Sequence, residues 1–279
     1  MSKVWLITGA SSGLGAELAK AALAQGDRVA ATFRKTEQAS AFSQQLPQGA
    51  LGIVLDLTDT ARIDTAVEEV HAHFGRIDVL VNNAGYGTIG AIEEFSMEEI
   101  RAQFETNFFG MAALTKAVLP ILRAQGSGHI LQLSSAAGIK ATGGFGVYNA
   151  SKFALEGFSE ALAQEVAPFG IRVVIVEPGP FRTQFAGTSV QLAQQRIEAY
   201  KQTPVAQMYH YISRINGRQE GDPAKAAQVM VGYVHNGNTA LRLPLGKHPM
   251  DVIKAKLKSV EQDMETNREL ALSTLVDGD

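Results

Sequence analysis

The stretch VWLITGASSGLG at residues 4–15 decides the fold. Its first four residues, 4–7, are all apolar, as in a strand that is buried on both faces of a parallel sheet. A glycine-rich turn follows at once and opens a helix that carries Leu14 and Leu18 on its apolar side. Glycines let the backbone approach a phosphate closely, and the free N–H groups and the dipole of the helix N-terminus attract it. The stretch therefore predicts an anion site.

The glycines of this turn follow the spacing G-x-x-x-G-x-G, which differs from the more familiar G-x-G-x-x-G. A glycine-rich turn can be purely structural, but this one has the preceding strand and the following helix that a dinucleotide site requires. We therefore predict that the turn binds the pyrophosphate of a dinucleotide, through Gly9, Ser11, Ser12, Gly13, Leu14 and Gly15.

Further apolar runs alternate with helical patterns along the rest of the chain. They predict strands at 28–33, 51–55, 77–81, 129–133 and 171–176, and a shorter seventh strand at 239–243. Alternating strands and helices with a phosphate turn after the first strand require a doubly wound (Rossmann) α/β fold. We expect a mostly parallel seven-stranded sheet with helices on both faces, and ligands at the carboxyl ends of the strands.

The length of the chain, 279 residues, favours one large domain with an extension, because α/β folds of about 200–250 residues often form one domain. We expect residues 1–279 to be one dinucleotide-binding catalytic domain, with a substrate lid at about 180–215. Lys and Glu recur around apolar residues after Met250, which predicts a C-terminal helical tail at about 249–279. This helix would lie on the surface or on a partner subunit.

Composition excludes several classes of function. A formal charge of −3, without any block of like charge, gives no footprint for nucleic acid or an anionic membrane. Cysteine is absent, so disulfides, thiolate nucleophiles and sulfur-ligated metals are excluded. His71 and His73 would face different ways on a helix, so we expect no metal site. The first apolar run is too short for a signal peptide or a membrane span, and we expect a cytoplasmic protein.

The end of the second strand bears on the choice of cofactor. An NAD-specific protein usually presents an acidic residue there to the ribose 2′-hydroxyl, but this chain has Phe33, followed by Arg34 and Lys35. A guanidinium can pair bidentately with a 2′-phosphate, which an acidic residue would repel. The sequence therefore favours NADP, with NADPH preferred over NADH. The alternative is that the two basic residues merely begin a solvated helix.

Polar residues also follow the next two strands and interrupt a long helix. Asp56 would either touch an adenine ring or cap the next helix. The fourth strand runs into a polar turn, residues 82–85, at the edge of the sheet where ligands bind. Asn107 falls inside a helix predicted at about 98–124. A buried Asn must have its amide bonded, so it is either structural or part of a water-bearing polar site.

Tyr148 and Lys152 are four residues apart and would share one face of a helix. A fixed cation beside a phenol favours the phenolate and makes the tyrosine a usable general acid or base. Alone, this spacing is usually a coincidence between two common residues. Here it follows a strand that ends in the serine pair Ser134 and Ser135, which by itself would indicate only a turn.

Taken together, these motifs resemble the short-chain dehydrogenase/reductase family in its compact, single-domain form. The resemblance covers roughly residues 3–185 and rests on five motifs: Thr8-Gly9-x-x-x-Gly13-x-Gly15, Asn82-Asn83-Ala84-Gly85, Asn107, Ser135 with Tyr148-x-x-x-Lys152, and Pro178-Gly179 with Thr183. The resemblance implies a nicotinamide cofactor bound by the glycine turn and by residues at the strand ends, namely Arg34, Asp56, Asn83, Ala84, Gly85, Tyr148, Lys152, Pro178, Gly179 and Thr183.

The same resemblance implies the roles of the catalytic residues. Tyr148 would exchange a proton with the substrate oxygen, and Ser135 would polarise that oxygen. Lys152 would hold the ribose and lower the pKa of Tyr148, while Asn107 would anchor a water of the proton relay. The family's usual spacing between its serine and tyrosine selects Ser135 rather than Ser134. Thr183 would contact the nicotinamide amide.

The expected reaction is hydride transfer between NADP(H) and a carbonyl or secondary alcohol, as in the hydroxysteroid, retinol or carbonyl reductase branches. Residues of the lid, Phe185, Met208, Tyr209 and Ile212, favour an apolar ketone or aldehyde, unless they simply pack the lid on the core. We expect a homodimer or homotetramer, although the added terminal helix could block or replace the family's usual contacts.

Two other functions agree less well with these motifs. A dinucleotide-binding sensor or regulatory protein would usually have lost part of the tetrad, and all four members are present here. A nucleotide-sugar epimerase or dehydratase would normally have a different glycine spacing and a larger substrate domain.

Overall fold

The computed structural model describes residues 2–46 and 48–276. Its strands are β1 (Val4–Ile7), β2 (Arg28–Phe33), β3 (Ala50–Val54), β4 (Val79–Asn82), β5 (Gly87–Ile89), β6 (Gly128–Leu133), β7 (Ile171–Pro178), β8 (Val190–Leu192) and β9 (Arg242–Leu245). Its α-helices are α1 (Gly13–Ala24), α2 (Thr36–Gln45), α3 (Thr60–Phe74), α4 (Met97–Phe104), α5 (Gly110–Gln125), α6 (Gly146–Val166), α7 (Pro204–Ile215), α8 (Pro223–His235), α9 (Lys247–Thr266) and α10 (Arg268–Leu272).

Seven of the strands form one sheet in the order β3-β2-β1-β4-β6-β7-β9. Every pairing within it is parallel, which confirms the predicted doubly wound fold. The strand order reverses between β1 and β4, so a crevice opens there at the carboxyl ends of the strands. The seventh strand begins three residues later than predicted and lies at the edge beside β7.

Helices cover both faces of this sheet, and alternate residues of β1 show how. Trp5 and Ile7 belong to a core shared with α1, α2 and α8, whereas Val4 and Leu6 belong to a second core shared with α3, α5 and α6. A strand buried on both faces has no polar side, which is why the central strands are continuous apolar runs.

The long helix predicted at 98–124 is divided into three parts. Between α4 and α5 the structure has a π-helical segment, Glu105–Phe109, with Asn107 at its centre. A π-helical turn inside an α-helix is rare and commonly accompanies a functional site, because it redirects side chains that a regular helix would place elsewhere.

A second, two-stranded parallel sheet was not predicted. It pairs β5 with β8 and so attaches the segment after β7 to the loop after β4. Each of these strands has three residues, which is too short to show an alternating pattern in the sequence.

The C-terminal helices extend from the edge of the sheet. The first turns of α9 pack beside β9 and the 3₁₀ turn at Ala136–Gly138, and Pro249 is buried there. From residue 257 to residue 276 the chain is exposed throughout. No helix in the part of the chain that the structure describes is long and apolar enough to span a membrane.

Candidate active site

A cavity of about 1620 Å³ lies at the carboxyl ends of the strands. Most of the residues that the sequence predicted for the site line this cavity: Gly9, Ser11, Ser12, Gly13, Leu14, Arg34, Asp56, Asn83, Ala84, Gly85, Ser135, Tyr148, Lys152, Pro178, Gly179 and Thr183. Gly15 and Asn107 do not line it and lie behind its wall. The carboxyl ends of parallel strands meet at one edge of a sheet, which brings these distant residues together.

The glycine turn leaves space for an anion at the start of α1. Gly9 and Gly13 have positive φ angles of 66° and 63°, which other residues rarely adopt. A Cβ atom at Gly9 would lie 2.8 Å from the Cα of Ala84, so that position has no room for a side chain. No side chain caps α1, so the N–H groups of its first turn have no acceptor within the helix. These residues fit the pyrophosphate of a dinucleotide.

Gly15 supports the turn rather than lining the cavity. A Cβ atom there would lie 2.4 Å from the amide nitrogen of Asn83 and 2.6 Å from the carbonyl oxygen of Gly9. The Asn83 amide donates to the carbonyl oxygens of Thr8 (2.8 Å) and Gly9 (3.1 Å). Gly15 is therefore required for close packing between α1, the turn and the end of β4.

Arg34 and Lys35 line the cavity where β2 ends, and both are exposed. Lys35 is also the N-cap residue of α2. It can therefore both begin that helix and face a phosphate in the cavity. Asp56 lines the same end of the cavity. Its carboxylate accepts hydrogen bonds from the backbone N–H (3.0 Å) and the hydroxyl (2.8 Å) of Thr58. The suggestion that Asp56 caps the next helix is wrong, because Asp59 is the N-cap residue of α3.

Tyr148 and Lys152 lie on α6 and both are buried at the cavity wall. The Lys152 ammonium donates a 2.6 Å hydrogen bond to the carbonyl oxygen of Leu133 and lies 5.9 Å from the centre of the Tyr148 ring. Burial lowers the pKa of Lys152 to about 8, against the opposing effect of the Glu156 carboxylate. At neutral pH most of the lysine is therefore still charged.

Burial raises the pKa of Tyr148 to about 12, and a hydrogen bond with the Ser135 hydroxyl opposes this increase. The phenol is therefore protonated at neutral pH. The lowering of the tyrosine pKa by Lys152 stays a prediction. The ring packs between Phe145 and Phe185, with centroid distances of 4.5 Å and 5.5 Å. A protonated phenol in an apolar setting is suited to donating a proton.

Ser134 and Ser135 both line the cavity, but their hydroxyls have different neighbours. Ser135 lines the cavity, and its hydroxyl also accepts a hydrogen bond from the backbone N–H of Ala137 at 3.1 Å. Ser134 is buried and its hydroxyl lies towards Gly138, beside the Glu156 carboxylate. A hydrogen bond with Ser135 acts on the pKa of the Tyr148 phenol, and the choice of Ser135 over Ser134 as the polarising residue stays a prediction.

Asn107 is fully buried, and both ends of its amide are bonded. Its oxygen accepts from the backbone N–H of Tyr86 (3.1 Å), and its nitrogen donates to the carbonyl oxygen of Tyr86 (2.9 Å) and to the hydroxyl of Ser151 (3.2 Å). Asn107 thereby ties the loop after β4 to α6, between Tyr148 and Lys152. Its role in anchoring a water stays a prediction.

Comparison with known proteins agrees with this geometry. A family model described as short chain dehydrogenase matches residues 3–193, more than half of the chain. The chain belongs to the short-chain dehydrogenase family. The match includes the glycine turn, Ser135, Tyr148 and Lys152.

Some relatives of this short-chain dehydrogenase match nearly all of its length. Oxidoreductase BOA17 of Botryotinia fuckeliana is 39% identical over 275 residues, which cover 98% of this chain and 100% of the relative. The crystal structure of a short-chain dehydrogenase from Streptomyces avermitilis is 42% identical, with a TM-score of 0.92, and the alignment covers 99% of this chain and 100% of that one. The NADPH-dependent 3-dehydrocapnine reductase of Ornithobacterium rhinotracheale is 35% identical over 215 residues, 75% of each chain.

Both nicotinamide dinucleotides occur among the solved structures that share this fold. Three of them, with 21%, 26% and 24% sequence identity, are described as complexes with NAD, NADH and 5-hydroxy-NADP. The fold of this short-chain dehydrogenase therefore does not by itself decide between NAD and NADP.

The part of the cavity beside Tyr148 has apolar walls from two segments. Met208 and Ile212 of α7 line it, and so does Phe185. The sequence predicts the same place for Tyr209, but Tyr209 does not line the cavity. Its hydroxyl donates to the carbonyl oxygen of Ile89 at 3.1 Å, and the guanidinium of Arg196 lies 3.6 Å from the centre of its ring. For Tyr209, packing on the core is thus the better interpretation.

A buried carboxylate attaches this segment to the body of the short-chain dehydrogenase. Glu94 is 2% exposed and accepts hydrogen bonds from the backbone N–H groups of Ala91 (2.8 Å) and Ile197 (2.9 Å). The hydrogen bond from the backbone N–H of Ile197 to Glu94 holds the chain before α7 in place. Sequence reasoning missed Glu94 because its partner lies 103 residues away.

Sequence reasoning also missed Phe145 and two residues of α9. His248 and Val252 line the cavity because α9 begins beside Pro178 and Gly179. The helical tail was predicted, but no local pattern indicates that its first turn returns to the site. Among the described residues no cluster of three or more potential metal ligands occurs, and His71 and His73 stand apart from the cavity.

Behind Lys152, a cluster of charged residues joins α6 to the edge of the sheet. Arg242 of β9 contacts the carboxylates of Glu156 and Glu160 on α6 and of Glu177 on β7. Burial raises the pKa of both Glu156 and Glu177, and Arg242 opposes this increase. We refer to Arg242, Glu156, Glu160 and Glu177 as the Arg242 cluster. Of these four residues, Arg242 alone lies outside residues 3–193, which the family model matches.

Proposed function

We propose that this short-chain dehydrogenase is an NADPH-dependent carbonyl reductase that acts on an apolar ketone or aldehyde. The observation that carries the proposal is the Tyr148 phenol, which burial keeps protonated at the wall of the cavity. A protonated phenol next to a hydroxyl and a lysine can donate a proton to a carbonyl oxygen as that oxygen becomes negative. Oxidation of the corresponding alcohol would be available at high pH.

Each residue of the centre has a distinct role in this proposal. Ser135 donates a hydrogen bond to the substrate oxygen and holds it beside the phenol. Tyr148 gives its proton to that oxygen. Lys152 stabilises the phenolate that is left, because an ammonium close to a phenolate favours the charged form. Asn107 holds the backbone around Tyr86 and Ser151 and is proposed to anchor a water through which the proton is replaced.

The residues around the cavity fit NADP, which when reduced supplies the hydride. The glycine turn would hold the pyrophosphate, and Arg34 would pair with the 2′-phosphate. Asp56 would lie near the adenine, Asn83 to Gly85 beside the ribose, and Thr183 with Pro178 and Gly179 beside the nicotinamide. The preference for NADPH is supported by the exposed Arg34 and Lys35 at this end of the cavity and by the name of one relative.

The apolar wall supports an apolar substrate. Phe145, Phe185, Met208 and Ile212 come from three segments and face one space beside Tyr148. Residues at about 180–215 would act as the substrate lid of one catalytic domain. The relative that reduces 3-dehydrocapnine is named for a carbonyl substrate, which favours carbonyl reduction here. We further propose that the protein works in the cytoplasm as a homo-oligomer.

The test measures NADPH oxidation against a panel of ketones, aldehydes and quinones. Tyr148→Phe removes only the hydroxyl and should abolish turnover while the fluorescence of bound NADPH shows unchanged affinity. Tyr200→Phe is the matched control, since its hydroxyl contacts Glu93 outside the cavity, and it should remain active. Activity retained in Tyr148→Phe would remove the phenol from its role. Tight NADPH binding by the wild type with no oxidation by any carbonyl would favour the sensor function instead.

A further inference from the structure

The exposed part of α9 carries an apolar stripe that nothing in the described part of the chain covers. Leu257, Val260 and Met264 are 64%, 39% and 70% exposed, and they continue a row that begins at the partly buried Ile253. The spacing of three and four residues places all four on one side of the helix. Exposed apolar rows of this kind mark interaction sites more often than solvated surface.

The charges beside this stripe are divided into two halves. Lys254, Lys256 and Lys258 flank its first half, whereas Glu261, Asp263 and Glu265 flank its second half. The charges therefore change sign near the middle of the stripe. A parallel pair of such helices would bring like charges together. An antiparallel pair would set the basic half of each helix beside the acidic half of the other, which is favourable on both sides.

We propose that α9 pairs antiparallel with α9 of a second copy of this chain about a two-fold axis. In this register Leu257 lies opposite the partner's Val260, and Ile253 lies opposite the partner's Met264. Because the pair is two-fold symmetric, each of these contacts occurs twice. An anionic membrane fits less well, since the acidic second half of the helix would be repelled from it.

The side chains at the edges of the stripe agree with this register. With about 100° of rotation per residue, Lys254 and Lys258 lie on one edge together with Glu261 and Glu265. In an antiparallel pair the same edges of the two helices face each other. Lys258 then lies beside the partner's Glu261 and Lys254 beside the partner's Glu265. On the other edge, Lys256 lies beside the partner's Asp263.

The absence of cysteine allows a direct test of this geometry. A single cysteine at Val260 lies near the two-fold axis, so a short bis-maleimide should link two chains of the full-length protein into a dimer. Ala255 is exposed on the opposite side of the same helix, and Ala255→Cys is the matched control that should remain uncoupled. Equal coupling at the two positions, or none at Val260→Cys, would overturn the proposal.

Charge exchange tests the antiparallel direction separately. Sedimentation velocity of the full chain should show that Lys256→Glu and Asp263→Lys each raise the dissociation constant of the pair by roughly tenfold, because each creates two repulsions. The double variant should return it to near the wild-type value. If the double variant is weaker than both single variants, or if the wild type is monomeric at every concentration, the pairing does not occur. Lys256 and Asp263 do not line the cavity, and circular dichroism checks that each variant is folded.

Discussion

Arg242 should contribute more to stability than any surface charge of the protein, because its guanidinium contacts two buried carboxylates at once. Glu177 and Glu156 have side chains that are 0% and 7% exposed, and both contact the same guanidinium nitrogen. Glu160, half exposed, contacts the other nitrogen. Arg242→Met preserves much of the volume of the side chain and removes its charge, which leaves Glu177 and Glu156 buried without their guanidinium partner.

The expected loss follows from this geometry. Removing one partner of a buried ion pair costs about 3–5 kcal/mol, since the remaining charge has lost its solvation and gained nothing in return. At about 2–4 °C per kcal/mol for a chain of this size, the midpoint of thermal unfolding should fall by roughly 6–20 °C. Arg242→Lys should recover only part of the loss, because one ammonium cannot reach three carboxylates with the geometry of a guanidinium.

The loss should depend on pH in a definite direction. Burial already raises the pKa of Glu156 and Glu177 above the ordinary 4.5, and removing Arg242 raises it further. A carboxyl group whose pKa is higher in the folded state binds protons more tightly when folded, so stability falls as pH rises through the folded pKa. The deficit of Arg242→Met should therefore be small near pH 4.5, where the carboxyl groups are protonated, and largest at neutral and alkaline pH.

The assay is thermal unfolding followed by circular dichroism between about pH 5 and 8 for the wild type and Arg242→Met. Arg101→Met is the matched control, because Arg101 and Glu98 form a pair on the surface with 65% and 80% exposure. Such pairs contribute less than about 1 kcal/mol. If Arg242→Met loses no more than this control, or if its deficit shrinks as pH rises, the reasoning about the Arg242 cluster is wrong.

Three further predictions concern the cofactor and the catalytic centre. Arg34→Asp should shift the ratio of kcat/KM from NADPH towards NADH, because an acidic residue repels a 2′-phosphate; an unchanged ratio would contradict the NADP preference. Gly9→Ala should weaken NADPH binding at least tenfold, since its Cβ would lie 2.8 Å from the Cα of Ala84. Gly26→Ala is the control and should not weaken it, because Gly26 also has a positive φ, 85°, but has open space around its Cβ position. Finally, kcat/KM for reduction should decline as pH rises through about 8, where Lys152 loses its proton; a flat profile from pH 7 to 10 would exclude that lysine.

The parts of the fold that could be predicted from the sequence are those with local causes. Buried parallel strands are apolar throughout, and the glycine turn joins the first of them to a helix, so the seven strands of the main sheet and the turn after β1 were predicted within a few residues. The β5–β8 sheet was missed because each strand has only three residues. The π-helical turn at Asn107 was missed because its residues resemble those of the helix on either side.

Around the cavity, the sequence predicted residues that belong to a motif and missed those that distant contacts place there. Tyr148, Lys152 and Ser135 stand at fixed spacings from one another. Glu94, by contrast, holds a backbone N–H 103 residues away, and nothing near either residue indicates the contact. His248 reaches the cavity only because the tail turns back beside Gly179.

The environment of Lys152 depends both on a local motif and on distant contacts. Its position relative to Tyr148 is set by one helix, and the motif is sufficient to predict it. Its charge depends on burial, which lowers its pKa, and on Glu156, which opposes that change. The Glu156 carboxylate in turn contacts Arg242, which lies 86 residues later on the edge strand. The charge of this buried lysine therefore depends on a strand outside the family match. Glu156→Gln removes the carboxylate that raises the pKa of Lys152, so the pH above which activity declines should be lower in this variant than in the wild type.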